Sequence, residues 1–165
     1  MCIEGHDHTA ARDDPLVDAI LSASRALIAV AARSLATADG DVTWAQYRVL
    51  VELAERGPQR LADLAAALAV GRSTATRMAD RLAHKQLVHR RRITSDRRGV
   101  RVSLTASGRD LVHEVGRRRR TEISNIVQRM EQTEARAAVE ALQAFAEATG
   151  EVPERSWPLR SEPVR

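Results

Sequence analysis

Residues 90–105 read RRRITSDRRGVRVSLT, and this segment most limits the folds open to the chain. Val100, Val102 and Leu104 alternate with polar residues, which is typical of a strand with one buried and one wet face. The residues before TSDRRG can pair with this strand as a hairpin. The hairpin carries six arginines against one aspartate. It therefore predicts either a polyanionic partner or a heavily solvated sheet edge.

The composition favours helices around this hairpin. The chain has 165 residues, of which 44% are hydrophobic and only 2% aromatic. A core of Leu, Ile, Val and Ala favours close-packed helices in one domain, or in one subunit of an oligomer. The single cysteine, Cys2, excludes an internal disulfide framework. We expect a cytoplasmic protein without a membrane partner, because we find no apolar run near the roughly 20 residues of a membrane span and no signal peptide.

The charge balance is compatible with nucleic-acid binding. The net charge is +4 and the pI is about 10.4. Lys85 is the only lysine among 26 basic residues, a bias typical of a GC-rich genome. The placement of the arginines is therefore more informative than their number.

Helical spacing and cap residues predict a mainly α fold with a small β-hairpin. We expect a disordered segment 1–13, a single domain 14–149 and a loose tail 150–165. The first predicted helix covers about 15–37, after Asp14 and Pro15, and the second is capped by Thr43 and ended by Gly57 and Pro58. A short third helix over 61–68 and a fourth over 72–85 follow. The fifth is capped by Thr105 and runs to about 131, and the last is capped by Thr133 and ended by Gly150. The third and fourth helices form a helix-turn-helix, and the hairpin directly after them is its wing. This order is typical of a DNA reader.

The fourth helix carries the candidate readout residues. Arg72, Ser73, Thr74 and Thr76 lie on its first turns, where side chains reach base edges and phosphates. The opposite side is apolar and should pack on the third helix. The alternative is an ordinary amphipathic helix with a solvated face. In the wing, Arg97 and Arg98 lie at the tip with Asp96 and Gly99, which suits a narrow minor groove or a solvated turn. Alternation sends Arg91 to the face opposite Arg90 and Arg92.

The segments TRMADRL, LVHRR and DRRGVRVSLTASG resemble the MarR (multiple antibiotic resistance regulator) family of winged-helix transcription factors in order and spacing. The resemblance covers about residues 15–149. It implies a homodimer formed by the first and last two helices, about 15–37 and 106–149, with a DNA-binding lobe over about 43–105. It also implies a palindromic operator on double-stranded DNA and, in many members, release by a small aromatic effector or by cysteine oxidation.

The resemblance assigns roles to individual positions. DNA contact falls on Arg72, Ser73, Thr74, Thr76, Arg77, Arg97 and Arg98, and wing positioning falls on Asp80 and Asp96. In the family, the aspartate matched by Asp80 can pair with the wing arginine matched by Arg98. Three positions depart from the pattern, namely Gly71 in place of a serine cap and Ala69 and Gln86 in place of glycines. Ala69 and Gln86 are expected to adopt a positive φ at a cost of roughly 1 kcal/mol each.

Two further sites follow from the helices. An effector pocket could be formed by Trp44, Tyr47 and Arg48, since the two rings can stack on a ligand and the arginine can pair with a carboxylate of the ligand. The alternative is that both aromatic side chains belong to the core at the hinge. The apolar stripes on the first, fifth and sixth helices exceed what one lobe can cover. Leu16, Ile20, Leu142 and Phe145 are therefore candidates for the dimer interface.

Other signals are weak. Cys2, Glu4, His6, Asp7 and His8 fit no closed zinc pattern, and Cys2 lies too far before the first helix for the family's redox switch. Residues 117–120, RRRR, point around a full turn and read as a solvated face. We expect no metal, no cofactor and no enzymatic activity.

Three functional hypotheses remain at this point. The first is a dimeric transcriptional regulator, more often a repressor, that responds to an effector. The second is a constitutive DNA-binding protein of the same fold. The third is a winged-helix module that binds protein and not DNA.

Overall fold

The computed structural model describes residues 14–38, 41–93 and 96–150, without the side chains of Asp14 and of residues 96–98. The predicted disordered segment, the N-terminal cysteine and histidines and almost all of the tail lie outside the described residues. The elements in chain order are α1 Asp14–Ala36, α2 Trp44–Arg56, β1 Gln59–Arg60, α3 Leu61–Ala67, α4 Arg72–His84, β2 Val88–Ile93, β3 Asp96–Leu104, α5 Ala106–Val127 and α6 Gln132–Thr149.

Most helix ends lie where the cap residues predicted them. The Thr43 hydroxyl accepts from the Gln46 backbone N–H at 3.3 Å, and the Gln46 side chain accepts from the Thr43 N–H at 3.2 Å. This capping box satisfies two backbone donors that the first turn of α2 leaves without a helical partner. Thr105 caps α5 by accepting from the Gly108 N–H at 2.9 Å. Gly150 ends α6 in the left-handed conformation, with φ 72°.

Two predicted ends are wrong. The last helix begins at Gln132, and its cap is Glu131, not Thr133. Glu131 and Glu134 form a capping box, in which the Glu134 carboxylate accepts from the Glu131 N–H at 3.2 Å. α5 also ends at Val127, earlier than residue 131.

The two turns of the helix-turn-helix region have the predicted left-handed residues. Ala69 has φ 53° and Gln86 has φ 57°. Each follows the end of a helix, and the next amide closes the turn: Val70 donates to the Ala65 carbonyl at 3.0 Å and Leu87 to the Leu82 carbonyl at 2.9 Å. These bonds satisfy carbonyls at the helix C-terminus, which offsets the strain of a positive φ at residues with a β-carbon.

The sheet has three strands, because β1 was missed by the sequence analysis. The strand order is β1-β3-β2 and both pairings are antiparallel. Val102 on the central strand has Gln59 as its partner on one side and Arg90 on the other. Val102 is completely buried, which confirms the predicted apolar face of this strand.

The wing tip is built differently from the predicted turn. Arg92 pairs with Val100, whereas the next residue, Ile93, pairs with Asp96. The three residues between these partners, 97–99, therefore have no counterpart on β2 and form a bulge in β3. The prediction that Gly99 belongs to the turn is wrong, since Gly99 lies inside β3. Bulges of this kind bend a strand and increase its twist.

The hydrophobic core lies in the winged lobe, between α2, α3, α4, the sheet and the first half of α5. Its most buried large side chains include Leu50, Leu53, Leu64, Leu82, Val102 and Val115. α1 joins it mainly through its C-terminal half, where Val30, Ala31 and Leu35 are buried. The core thus fixes α4 and the wing relative to each other.

Gly108 allows α5 to pack directly on the start of the wing. A β-carbon at this position would overlap the Leu87 carbonyl oxygen and press on the Leu104 side chain. That carbonyl also accepts from the Thr105 N–H at 3.1 Å, so it cannot move without loss of a hydrogen bond. We expect Gly108→Ala to destabilise the fold by roughly 1–3 kcal/mol through overpacking. Denaturant unfolding measures the loss of stability, and Ser107→Ala at the neighbouring exposed position is the control. An unchanged unfolding midpoint for Gly108→Ala would contradict the close packing of α5 on Leu87.

α1 and α6 expose apolar side chains in the single chain. Leu16 is 61% exposed, Leu142 57% and Phe145 48%, and Ile20 is half-buried. α6 has no buried residue. The expectation that no apolar run is long enough to cross a membrane is wrong: in the described part of the chain, one helix, Pro15–Ala36, is long and apolar enough, with a mean hydropathy of 1.6. Many residues of this run are alanines, which a count of large apolar side chains leaves out.

Candidate nucleic-acid interface

α4 divides into a buried and an exposed face, as the sequence predicts. Ala75, Ala79 and Leu82 are at most 1% exposed and pack on the core. Arg72, Ser73 and Arg77 are exposed, and Thr74 and Thr76 are half-buried. The cap residue of α4 is Gly71, which has no side chain to accept a hydrogen bond from the first turn. Backbone N–H groups at the start of α4 are therefore available to a phosphate, which the helix dipole also favours.

Hydrogen bonds within α4 order its polar side chains. The Thr76 hydroxyl donates to the Arg72 carbonyl at 2.8 Å, and Arg77 Nη2 donates to the Thr74 hydroxyl at 3.3 Å. The oxygen of Thr76 can still accept a bond from a base amino group. Within the described ranges, neither the Arg72 guanidinium nor the Ser73 hydroxyl has a side-chain hydrogen bond. Both can therefore bind DNA without breaking an internal contact.

An ion pair connects α4 to the wing. Asp80 of α4 pairs with Arg90 of β2, at a side-chain exposure of 51% and 28%. The resemblance suggested Arg98 as the partner of Asp80; the side chains of Asp96, Arg97 and Arg98 lie outside the description, and their roles stay predictions. Their backbone lies in β3, at the bulge at the end of the wing. The contact of Asp80 with Arg90 fixes the inner side of β2 against the recognition helix.

A basic cleft lies between α4 and the wing. Its volume is about 440 Å³. Its lining residues are Arg60, Leu61, Ala62, Arg72, Thr76, Arg90, Gly99 and Val100. It therefore brings three arginines from β1, α4 and β2 to one concave surface. The cleft includes two predicted contact residues, Arg72 and Thr76, and two arginines, Arg60 and Arg90, whose positions depend on strand pairing that the sequence did not reveal.

A second cleft, of about 340 Å³, lies between α1 and α5. Arg33 of α1 forms an ion pair with Glu122 of α5, and Arg118 donates to the Thr37 carbonyl at the end of α1. Arg117 and Arg118 also pair with Glu114. The prediction that RRRR forms a solvated face is therefore wrong for Arg118, which bridges two helices.

The arginines around Glu114 lower its pKa below the ordinary value of a glutamate. The largest cause is the hydrogen bond from Arg117, followed by the bond from Arg118. A carboxylate with a lowered pKa stabilises the folded state above its unfolded pKa, and this contribution is lost as the pH falls through the folded pKa. Because the carboxylate is partly open to solvent, with a side-chain exposure of 31%, solvent weakens the effect.

The predicted effector residues do not line either cleft. Trp44 is 44% exposed and Tyr47 is buried at 4%, with their ring centroids 5.9 Å apart. Arg48 is exposed on the next turn of α2. Tyr47 belongs to the core, as the alternative interpretation expects, and only Trp44 and Arg48 could contact a ligand from outside. Over the ranges that the structure describes, no group of three His, Cys, Asp or Glu side chains could hold a metal ion.

The comparisons with known proteins agree with this geometry. The model of the MarR family matches residues 42–100, which contain α2 to α4, β2 and the wing bulge. The crystal structure of RV1404 from Mycobacterium tuberculosis is 44% identical, with a TM-score of 0.79 over 86% of this chain and 97% of that chain. The chain belongs to the MarR family of winged helix-turn-helix transcriptional regulators.

Two other relatives give functional context for this MarR-family chain. The HTH-type transcriptional repressor MdtR of Bacillus subtilis is 42% identical over 67 residues, which is 41% of this chain and 43% of MdtR. The chain thus matches less than half the length of that curated relative. BpsR of Bordetella bronchiseptica, whose DNA binding is regulated by 6-hydroxynicotinic acid, is 27% identical, with a TM-score of 0.52 over 76% of this chain and 98% of BpsR.

The ion pair of Asp80 with Arg90 should position the wing of this MarR-family protein. We expect Asp80→Ala to weaken operator binding by roughly 5-fold, because an exposed pair is worth up to about 1 kcal/mol, with little change in thermal stability. The swapped pair, Asp80→Arg with Arg90→Asp, should restore most of the ion pair between α4 and the wing. It should not restore the positive charge that Arg90 contributes to the cleft. Fluorescence anisotropy on labelled operator measures the effect. If Asp80→Ala binds like the unaltered protein, Asp80 has no positioning role.

Proposed function

We propose that the protein is a homodimeric, sequence-specific DNA-binding repressor that acts in the cytoplasm and is released by a small-molecule effector. The observation that carries the proposal is the basic cleft between α4 and the wing, with Arg72, Thr76 and Arg90 on its surface. Among its described lining residues the cleft has three arginines, with Arg60 as the third, and no carboxylate, which favours a polyanion. The family membership makes double-stranded DNA the polyanion to test.

The readout residues support sequence-specific binding over charge attraction alone. The exposed start of α4 presents a guanidinium and hydroxyls, which match guanine O6 and N7 and the polar edges of other bases. The wing, fixed against α4 by Arg90 and Asp80, can reach the adjacent minor groove through Arg97 and Arg98. MdtR is a repressor, and repression follows when a regulator of this kind occupies a promoter.

The exposed apolar surface of α1 and α6 supports a homodimer. Val139, Leu142 and Phe145 follow each other at helical spacing on α6 and are about half exposed. Such surfaces are rare on soluble monomers. A membrane is a poorer partner for α1, because Arg33 in its last turn is tied to Glu122 of α5. A two-fold dimer also places two recognition helices on one face of DNA, about 34–36 Å apart.

The effector is the part of the proposal that a relative suggests. BpsR responds to 6-hydroxynicotinic acid, an aromatic carboxylate. In this chain, Trp44 and Arg48 lie together at the exposed start of α2 and offer stacking and a carboxylate partner. A constitutive DNA-binding protein remains the second candidate, because Tyr47 is buried in the core and neither cleft contains these residues.

Gel-shift titration on the region upstream of the protein's own gene tests the proposal. We expect a discrete complex that resists excess random DNA and weakens steeply with salt. A panel of aromatic carboxylates, screened by melting temperature and then by gel shift, separates an effector-released repressor from a constitutive binder. Failure to bind any double-stranded DNA at low salt would support a protein-interaction module instead.

A further inference from the structure

Two arginines lie side by side on the outer face of the wing sheet. Arg101 on the central strand β3 has Arg91 of β2 as its partner. Both are exposed. Adjacent strands are about 4.8 Å apart, so the two side chains of this arginine row start close together.

The arginine row faces away from the recognition helix. The residues next to it along the strands, Val102 and Arg90, are partners of each other, and Val102 is buried against the core. Arg90 contacts Asp80 of α4 from that inner side. Successive side chains of a strand point to opposite faces, so Arg91 and Arg101 point outward.

The row is unfavourable without an anionic partner. Like charges that lie directly opposite on neighbouring strands destabilise a sheet. Within the described part of the chain, no ion pair connects Arg91 or Arg101 to a carboxylate. Protection of a sheet edge accounts for Arg91 on the edge strand β2 but not for Arg101, which is on the central strand.

We propose that the arginine row binds the phosphate backbone of the DNA that flanks the operator, beyond the minor groove that receives the wing. This inference rests on the proposed function. If α4 lies in the major groove and the wing tip in the adjacent minor groove, the outer face of the wing, which is opposite to α4, would face the next stretch of duplex. Arg60, the partner of Arg101 on β1, lines the basic cleft, so positive charge continues from the cleft to the outer face. The contact extends the footprint and carries no sequence information.

Binding to two duplexes tests the arginine row. One duplex ends at the edge of the palindromic core, and the other continues for about 10 bp, one helical turn, at each end. The salt slope should be steeper on the extended duplex by about 0.9 for each neutralised phosphate, or about 3.6 for Arg91 and Arg101 of both protomers. The extra affinity of the extended duplex should therefore fall about 150-fold between 50 and 200 mM salt.

The double variant Arg91→Gln with Arg101→Gln should bind the extended duplex with the affinity and slope of the short one. Its melting temperature should not fall, because the substitution removes like-charge neighbours. The matched control, Arg120→Gln with Arg136→Gln, changes the net charge equally on exposed positions of α5 and α6 and should leave the slope difference intact.

The outcomes separate this inference from the proposed function. If the unaltered protein does not bind the short duplex, the proposed function is wrong. If it binds the short duplex but gains nothing from the flanks, or if the double variant loses affinity equally on both duplexes, the flank contact is refuted while operator binding stands. A gain from the flanks that the double variant loses and the control keeps supports the arginine row.

Discussion

Replacing Ile20 and Leu142 by glutamate is expected to convert the protein to a monomer or an aggregate and to abolish tight operator binding. Leu142 is 57% exposed in the single chain, and its helix has no buried residue. In a dimer each such side chain contributes about 1.5–3 kcal/mol when buried. A carboxylate at the same place must lose its hydration without a partner, which costs several kcal/mol per ion.

The loss of DNA binding follows from the loss of the second half-site. A dimer that binds one half-site holds its second recognition helix at a high effective concentration over the other, which raises the overall affinity by about 10²–10⁴. A monomer loses this factor although α4 and the wing are unchanged. We expect a defect of this size in anisotropy titrations with the palindromic operator, and a much smaller defect with a single half-site.

Sedimentation at micromolar concentration checks the oligomeric state directly. The unaltered protein should sediment as twice its 18.2 kDa chain. The control Ser22→Glu with Ala144→Glu adds the same charges at exposed positions on other sides of the two helices and should remain dimeric. A clean 18 kDa species for the unaltered protein would refute the dimer and the palindromic-operator mechanism with it.

Local signals in the sequence predicted the parts of the fold that local interactions determine. The capping box at Thr43 needs only residues three apart, and the alternation of Val100, Val102 and Leu104 needs only one buried face. The positive φ at Ala69 and Gln86 was expected from the resemblance, because the family has glycines at these two positions. The last helix was misjudged by two residues because Thr133 and Glu131 are both adequate caps, and the reciprocal bond with Glu134 decides between them.

Non-local pairing determines what the sequence did not reveal. β1 has two residues, too few for any periodicity, and it forms only because the chain leaving α2 passes beside β3. The bulge at 97–99 depends on the register between β2 and β3. The same register places Arg101 beside Arg91 and turns Arg90 toward Asp80. Alternation alone placed Arg91 on the face opposite Arg90 and Arg92. The strand partners were needed to show which of these faces turns toward α4 and that Arg101 lies beside Arg91.

Arg72→Ala is expected to weaken binding to the operator by about 5- to 150-fold, the equivalent of the 1–3 kcal/mol that a bidentate arginine contributes against a wrong base. Arg72 is the first residue of α4, is exposed, and lines the basic cleft beside Thr76. The bond from the Thr76 hydroxyl to its carbonyl fixes the backbone from which the guanidinium extends. If Arg72 reads a base, binding to random DNA should change much less than binding to the operator.

The variant Arg72→Lys separates base readout from phosphate contact at this position. Lysine keeps the positive charge but lacks the planar fork that bonds guanine O6 and N7 together. Lysine should therefore restore binding to random DNA and the salt slope, and should leave most of the operator defect in place. Equal losses for Arg72→Ala on operator and random DNA, with a salt slope lowered by about one unit and restored by lysine, would instead assign Arg72 to the phosphate backbone. The readout would then depend on Ser73, Thr74 and Thr76, whose hydroxyls accept or donate to several bases and discriminate less sharply.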